Sequence, residues 1–454
     1  MSQPEQFPLL AGGSPDRIVA FRPGGPVTAA QFTADVARLA RVLPAAGHIL
    51  NICHDRYRFM VGLAAGLLAG RISLLPASHT PETVRQLLEF APDIVCLHDS
   101  DGDDVDLPRL PYPMDPAVPD PAQSLPPIDG DRTLGYLFTS GSTGRPMPHR
   151  RTWGTAVRSA RSEAARLGLG AQPFSIVGTV PAQHSYGLES TALLGLLANG
   201  APWSGRPFYP ADIADALAAV PRPRLLVTTP FHLRSLLESG VEMPPVDRIL
   251  SATAPLSREL AMAAEEGLGA PVHEIYGCTE AGQLASRHTA ATLEWDPLPG
   301  VTVAPEGDGH VAYGGHVEGH VPLSDLLESV AGGRFLLHGR SADLVNIAGK
   351  RTSLAYLNHQ LNAIAGVLDG CFFMPEESGA AVESVSRLCA FVVAPGLDAR
   401  GLLASLRQRI DPIFLPRPVY FVESLNRNAT AKLLRQDLQA LYEKHRQATR
   451  PEIS

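Results

Sequence analysis

The first hundred residues alternate short apolar runs with longer amphipathic ones. HILNICHD (48–55), FMVGLAAGLLAG (59–70), RISLLPAS (71–78), PETVRQLLEF (81–90) and DIVCLHD (93–99) follow in order. Short apolar runs between helical patterns predict βαβ units and a largely parallel sheet. The stretch 59–70 is apolar on all sides and reads as a buried helix. It is shorter than the ~20 residues that a membrane helix needs. Residues 107–128 hold eight prolines and read as a stiff surface connection. Strand patterns then return as LGYLFT (134–139), FSIVGTV (174–180), RLLVTT (224–229) and RILSAT (248–253), between helical patterns at 152–167, 188–199, 210–219, 231–239 and 257–268. Past Gly339–Arg351 the pattern changes. A helix near 353–364, strands LCAFVVA (388–394) and PVYFVES (418–424), and a helix at 398–410 make a compact α+β unit. The expectation is an α/β fold. A large N-terminal domain (1–340) has mixed or parallel sheets and flanking helices, and a small mobile α+β domain (344–454) follows it.

Composition narrows the function. The chain has 454 residues, 45% hydrophobic and 19% charged, as a soluble globular protein does. A net charge of −8 disfavours a nucleic-acid partner. Cys53, Cys96, Cys278, Cys371 and Cys389 show no CxxC spacing, which points to free thiols in a reducing compartment. The opening MSQPEQFPLL has no basic segment followed by an apolar one, so the pattern predicts a cytoplasmic protein without a signal peptide. Oligomeric state stays open.

Two local motifs carry candidate chemistry. LFTSGSTGRP (137–146) follows a strand pattern and is read as leading into a helix. Its glycines Gly141 and Gly144 admit close backbone approach, and Thr139, Ser140, Ser142 and Thr143 add hydroxyls, so the run suits an anion. It is not a GxxxxGK[ST] loop. The basic run His149-Arg150-Arg151 after it reads as the start of that helix, or as a replacement for a phosphate-binding lysine. EIYGCTEAG (274–282) places an aromatic, a glycine, Thr279 and Glu280 within five positions. Glu280 is a candidate ligand for Mg²⁺, a hard cation that shares oxygen ligands with phosphates. Other signals are set aside. HDSDGDDVD (98–106) lacks the glycine and glutamate of a calcium loop and reads as a solvated acidic loop. His316 and His320 have no third ligand, and Cys278 reads as a small packing residue.

Taken together and in order, these stretches resemble the adenylate-forming superfamily of acyl- and aryl-CoA synthetases, peptide-synthetase adenylation domains and beetle luciferases. The resemblance runs over residues 136–435. It includes FTSGSTGRP, PAQHSYGL (181–188), SATAPL (251–256), YGCTE (276–280), PLSD (322–325), GRSADLVNIAGKR (339–351) and ATAKLLR (429–435). It implies ATP and Mg²⁺ as cofactors. Thr139, Ser140, Gly141, Ser142, Thr143 and Gly144 would wrap the β- and γ-phosphates, and Thr279 would touch the α-phosphate. Glu280 would hold the metal. Ala252, Ala254 and Tyr276 would border adenine, and Asp325 and Arg340 the ribose. Lys432 would meet the reacting carboxylate. The chain departs from the family pattern at Met147, where a lysine is usual, at Ala342 in the hinge, at Ala431 before Lys432, and at Ser324.

The resemblance further implies an acid pocket around His184, Ser185, Phe231 and Gly277, with His184 also among the catalytic candidates. The matching stretch holds no carboxylate to pair with an amino-acid ammonium, which is costly to bury alone. A hydroxybenzoate- or cinnamate-like aryl acid is therefore the favoured substrate of an AMP-forming acid–thiol ligase. The acceptor is coenzyme A or an acyl carrier protein; Arg387, Arg400, Arg407 and Arg409 are candidate contacts for an acidic carrier. A fatty acyl ligase and a nucleotide-binding protein without turnover remain the alternatives.

Overall fold

The computed structural model describes residues 5–76, 79–100, 105–120, 123–140, 146–340, 344–347, 350–375, 388–427 and 433–448. Gly141, Ser142, Thr143, Gly144, Ala342, Ala431 and Lys432 lie outside them. Contacts divide the chain into two units. One holds Met1–Ala252, Leu260–Val303 and Ala312–Val321; the other holds Thr253–Glu259, Ala304–Val311 and Pro322–Ser454.

The larger unit is built on two sheets. The first runs in the order Pro146–Thr152, Thr133–Ser140, Ile72–Leu75, His48–Asn51, Ile94–His98, Arg109–Pro111. All its neighbours are parallel except the first pair, an antiparallel hairpin. The proline-rich stretch thus supplies an edge strand, Arg109–Pro111. The second sheet runs Gly200–Pro202, Phe174–Gly178, Arg224–Thr228, Arg248–Ser251, Val272–Cys278, Gly282–His288, Asp296–Pro297. It is parallel through Val272–Cys278 and antiparallel beyond.

A helical layer packs against both sheets. Trp153, Ala156 and Leu196 share one apolar cluster with Ile49, Leu75 and Leu137 of the first sheet. Ala164, Leu167 and Leu194, from the same helical segments, share another with Ile176, Val227 and Leu250 of the second. Thr152 starts the helix Trp153–Arg166 through a reciprocal capping box with Thr155, which satisfies backbone donors that a helix start leaves open. Among the described residues, no helix is long and apolar enough to cross a membrane.

The second unit has a three-stranded sheet, ordered Asp369–Phe373, Cys389–Val393, Val419–Phe421. Phe372, Ala390 and Val392 join Leu357, Leu361, Leu402 and Leu406 in one cluster. The alternate positions Cys371, Phe373, Cys389 and Phe391 join Leu438, Leu441 and Tyr442 in another. Burial on both faces explains why CFF and CAFVV read as continuous apolar runs.

The candidate active site

Four parallel strands of the second sheet end along one edge. Residues 179–187, 229–232, Ala252 and 279–281 leave it there, after Gly178, Thr228, Ser251 and Cys278. Carboxyl ends of parallel strands are the usual place for a ligand crevice in such sheets. Topology alone therefore gathers His184, Ser185, Phe231, Ala252, Thr279 and Glu280 along one edge.

The phosphate-loop motif corrects one expectation. It does not lead into a helix: Ser140 pairs with Pro146 across a hairpin, and His149, Arg150 and Arg151 lie in its returning strand. Side chains alternate along a strand, so His149 and Arg151 share a face. His149 Nε2 lies 2.9 Å from Thr139 Oγ1 and 3.9 Å from Glu280 Oε1. Burial lowers the His149 pKa, against a smaller upward pull from Glu280. Arg151 donates to two backbone carbonyls of the second motif, Thr279 O at 2.7 Å and Glu280 O at 3.0 Å. Its charge is thus spent on main-chain oxygens. The hairpin and the Thr279–Glu280 turn are brought together by these two side chains. Sequence reading had no means of assigning either one this role.

The acid-site segment joins the same cluster. Glu189 is buried, which raises its pKa; Arg151, the Gln283 backbone N–H and the Ser185 hydroxyl oppose that rise. Tyr186 Oη donates to Leu250 O at 2.8 Å, tying the segment to the strand that leads to Ala252. Gln183 Nε2 donates to Cys53 O at 2.7 Å. The guanidinium of Arg56, 3% exposed, spans Gly178 O, Val180 O, Trp203 O and Gly205 O at 2.8–3.1 Å. His184 is half-buried at the start of the short helix Ser185–Gly187.

Tyr276 is buried and packs its ring 5.7 Å from that of Trp295. Gly277 follows a register shift between the strands. A Cβ there would sit 2.3 Å from Gly282 O, so no larger residue fits without moving backbone. Phe231 is not a core residue: it is 46% exposed and meets Phe208 and His232. In the second unit, Asp325 and Arg340 stand opposite each other in an antiparallel pair, and Ala254 is half-buried just after Thr253, whose φ is +78°.

The signals set aside resolve as structure. Burial pushes the Cys278 thiol up to about 12, far from a thiolate nucleophile. His316 Nε2 lies 2.6 Å from Gln283 O, and His320 stacks on Tyr313. Asp99 is not solvated: its side chain is 3% exposed, takes the backbone N–H groups of His54 and Asp55, and pairs with Arg58. All five cysteines are free.

Behind the turn lies a further group that the sequence did not flag. Glu163 is fully buried, beside Ser190 and Gln283, yet neither carboxyl oxygen makes a well-formed hydrogen bond. Burial raises its pKa to about 8, with Glu189 adding like charge.

Known proteins resemble this chain in sequence and in fold. A 4-coumarate–CoA ligase of Rhodobacter capsulatus is 31% identical over 60% of this chain and 66% of its own length, just under two thirds. A 3-hydroxybenzoate/4-hydroxybenzoate–CoA ligase of Thauera aromatica is 25% identical over 68% of this chain and 67% of its own. The O-succinylbenzoate coenzyme A synthetase of Bacillus subtilis, in complex with AMP, superposes with a TM-score of 0.80 at 20% identity, covering 96% of this chain and 98% of that one; at that identity the likeness speaks to fold. The sequence profile of AMP-binding enzymes matches residues 10–306. That match spans more than half of the chain, which therefore belongs to the AMP-binding enzyme family.

Proposed function

We propose that the protein is an AMP-forming acid–thiol ligase acting on a hydroxybenzoate- or cinnamate-like acid. One observation carries the reading. The phosphate hairpin and the Thr279–Glu280 turn are held together by Arg151 and His149.

In the first step a carboxylate oxygen attacks the α-phosphorus of ATP, and the bond to pyrophosphate breaks. In the second a thiol sulfur attacks the acyl carbon, and AMP leaves with the bonding electrons. No protein nucleophile is needed, in keeping with the protonated Cys278. Two anions must approach in the first step, so positive charge and donors aimed at the developing charge are the main requirement. Thr139, Ser140, Gly141, Ser142, Thr143 and Gly144 are assigned to the β- and γ-phosphates, Thr279 to the α-phosphate, and Lys432 to the reacting carboxylate. Ala252, Ala254 and Tyr276 are assigned to adenine, and Asp325 and Arg340 to the ribose.

Mg²⁺ fits the donor set. Glu280 and Thr139 offer hard oxygen donors within reach of His149, and no group of three His, Cys, Asp or Glu side chains suited to a metal exists among the described residues. Such a site suits a cation that takes most of its ligands from phosphate and water. Bound there, the ion would neutralise phosphate charge.

An aryl acid is favoured over an amino acid because Glu189, the carboxylate that follows the acid segment, is buried and its pKa is raised by that burial. His184, Phe231 and the bare backbone of Gly277 suit a flat ring. The acceptor thiol is that of coenzyme A or of a carrier protein's pantetheine arm, which share their reacting end. Segment 344–454, carrying Lys432, is assigned the mobile role that would withdraw the lysine before thiol attack.

ATP–pyrophosphate exchange with hydroxybenzoic, cinnamic, fatty and amino acids tests this reading. Exchange should appear with the aryl acids and vanish in Glu280→Ala. Exchange with fatty or amino acids only would overturn the substrate assignment.

A further inference from the structure

We propose that Arg151 is a positioning residue of this site: its guanidinium fixes the turn that carries Thr279 and Glu280. The proposal rests on the adenylation reading above and deepens it by assigning Arg151 a role in positioning the two residues of the turn.

The turn between the strands Val272–Cys278 and Gly282–His288 is three residues long. Two of its three carbonyls, those of Thr279 and Glu280, are taken by one guanidinium. Fixing both oxygens fixes the peptide plane between them, and with it the direction in which the Thr279 hydroxyl and the Glu280 carboxylate leave the backbone. A flexible turn would have to be ordered at each turnover; a clamped one is ordered beforehand. The planar fork of arginine suits two acceptors at once, whereas a lysine ammonium on its flexible stem is a point charge.

Gly282 makes the approach possible. Its φ of +83° belongs to the left-handed region, and a Cβ there would lie 3.4 Å from both Arg151 Nη2 and Glu189 Oε1. The cation and the carboxylate therefore flank the same bare backbone position. The hydrogen bonds of the guanidinium go to the Thr279 and Glu280 carbonyls, and Glu189 acts on it through charge alone. Arg151 touches no reacting atom on this account. It acts through the two residues that do.

The test measures pyrophosphate exchange by wild type, Arg151→Gln and Arg151→Lys while Mg²⁺, ATP and acid are varied separately, with melting curves alongside. Hydrogen bonds to a charged group contribute ~1.5–3 kcal/mol, about 10- to 100-fold. The expected result is a rise of that order in the Mg²⁺ and ATP constants of Arg151→Gln. The acid constant should rise less, and kcat should fall. Arg151→Lys should recover only part of the loss, because one ammonium replaces the fork. If Arg151→Gln does not fold, the Mg²⁺ constant of Arg151→Lys decides. Mg²⁺ and ATP constants within twofold of wild type in a folded variant would overturn the proposal. So would full recovery by lysine, which would show that charge alone is required. Absence of exchange in the wild type itself with every acid would instead overturn the adenylation reading.

Discussion

Replacing Glu163 by glutamine isolates a strongly perturbed carboxyl of the larger unit. Glu163 has no exposed surface, its oxygens lack well-formed partners, and Glu189 places like charge nearby. Its pKa stands at about 8 in the folded protein against 4.5 for an ordinary glutamate. Between those two values the folded state keeps a proton that the unfolded chain has released. Stability therefore falls as pH rises, beginning above 4.5 and levelling off above about 8. At ~1.4 kcal/mol per pH unit the full loss is roughly 5 kcal/mol, of which roughly 3 kcal/mol has gone by pH 7. Glutamine has nearly the same shape, does not ionise, and offers an N–H to the unpaired Gln283 Oε1. The assay is urea unfolding at pH 5.5, 7 and 8.5, read by tryptophan fluorescence. All three tryptophans, Trp153, Trp203 and Trp295, lie in the same unit as Glu163. Wild-type stability should decline relative to Glu163→Gln across this range, and the variant should be the more stable at pH 8.5. Parallel curves at all three pH values would refute the reasoning, because they would mean that Glu163 ionises without cost.

Two further variants probe the frame and the pocket. Arg56→Met leaves four carbonyls, two of them in fully buried hydrogen bonds, without their donor and should cost about 3–5 kcal/mol in the same unfolding assay; a loss below about 1 kcal/mol would contradict the view that this guanidinium holds the four carbonyls in place. Phe231→Ala should leave stability within about 0.5 kcal/mol, since the side chain is half exposed. It should also raise KM for aryl acids roughly tenfold, measured by exchange at saturating ATP; an unchanged KM would remove Phe231 from the pocket.

Much of the architecture was legible because it depends on local patterns. The alternation of short apolar runs with amphipathic ones gave the parallel sheets. The helices expected at 152–167, 210–219 and 257–268 appear as Trp153–Arg166, Pro210–Ala218 and Arg258–Leu268. What failed depended on tertiary context. His149-Arg150-Arg151 resembled a helix start because three basic residues in a row carry no period. Only pairing with Thr133–Ser140 makes them a strand and sends His149 and Arg151 to one face. Glu163 was not singled out, because its helix packs between two sheets and burial on both sides hides the stripe that periodicity would show. Asp99 sat in an acidic run and read as solvated, whereas two backbone N–H groups and Arg58 draw it inside. The site followed the same rule. Thr279 and Glu280 were visible as a motif; the arginine that holds their carbonyls lies 128 and 129 residues away in sequence.

The most direct test of the central claim follows an oxygen atom. If a carboxylate attacks the α-phosphorus and a thiol then displaces AMP, one carboxyl oxygen of the acid must leave in AMP. The wild-type protein, given ATP, Mg²⁺, coenzyme A and 4-coumarate labelled with ¹⁸O in its carboxyl group, should release AMP bearing a single ¹⁸O together with the thioester. Thioester formed with unlabelled AMP, or with ADP and labelled phosphate, would contradict the account, because the acid would then have been activated by a route other than its adenylate.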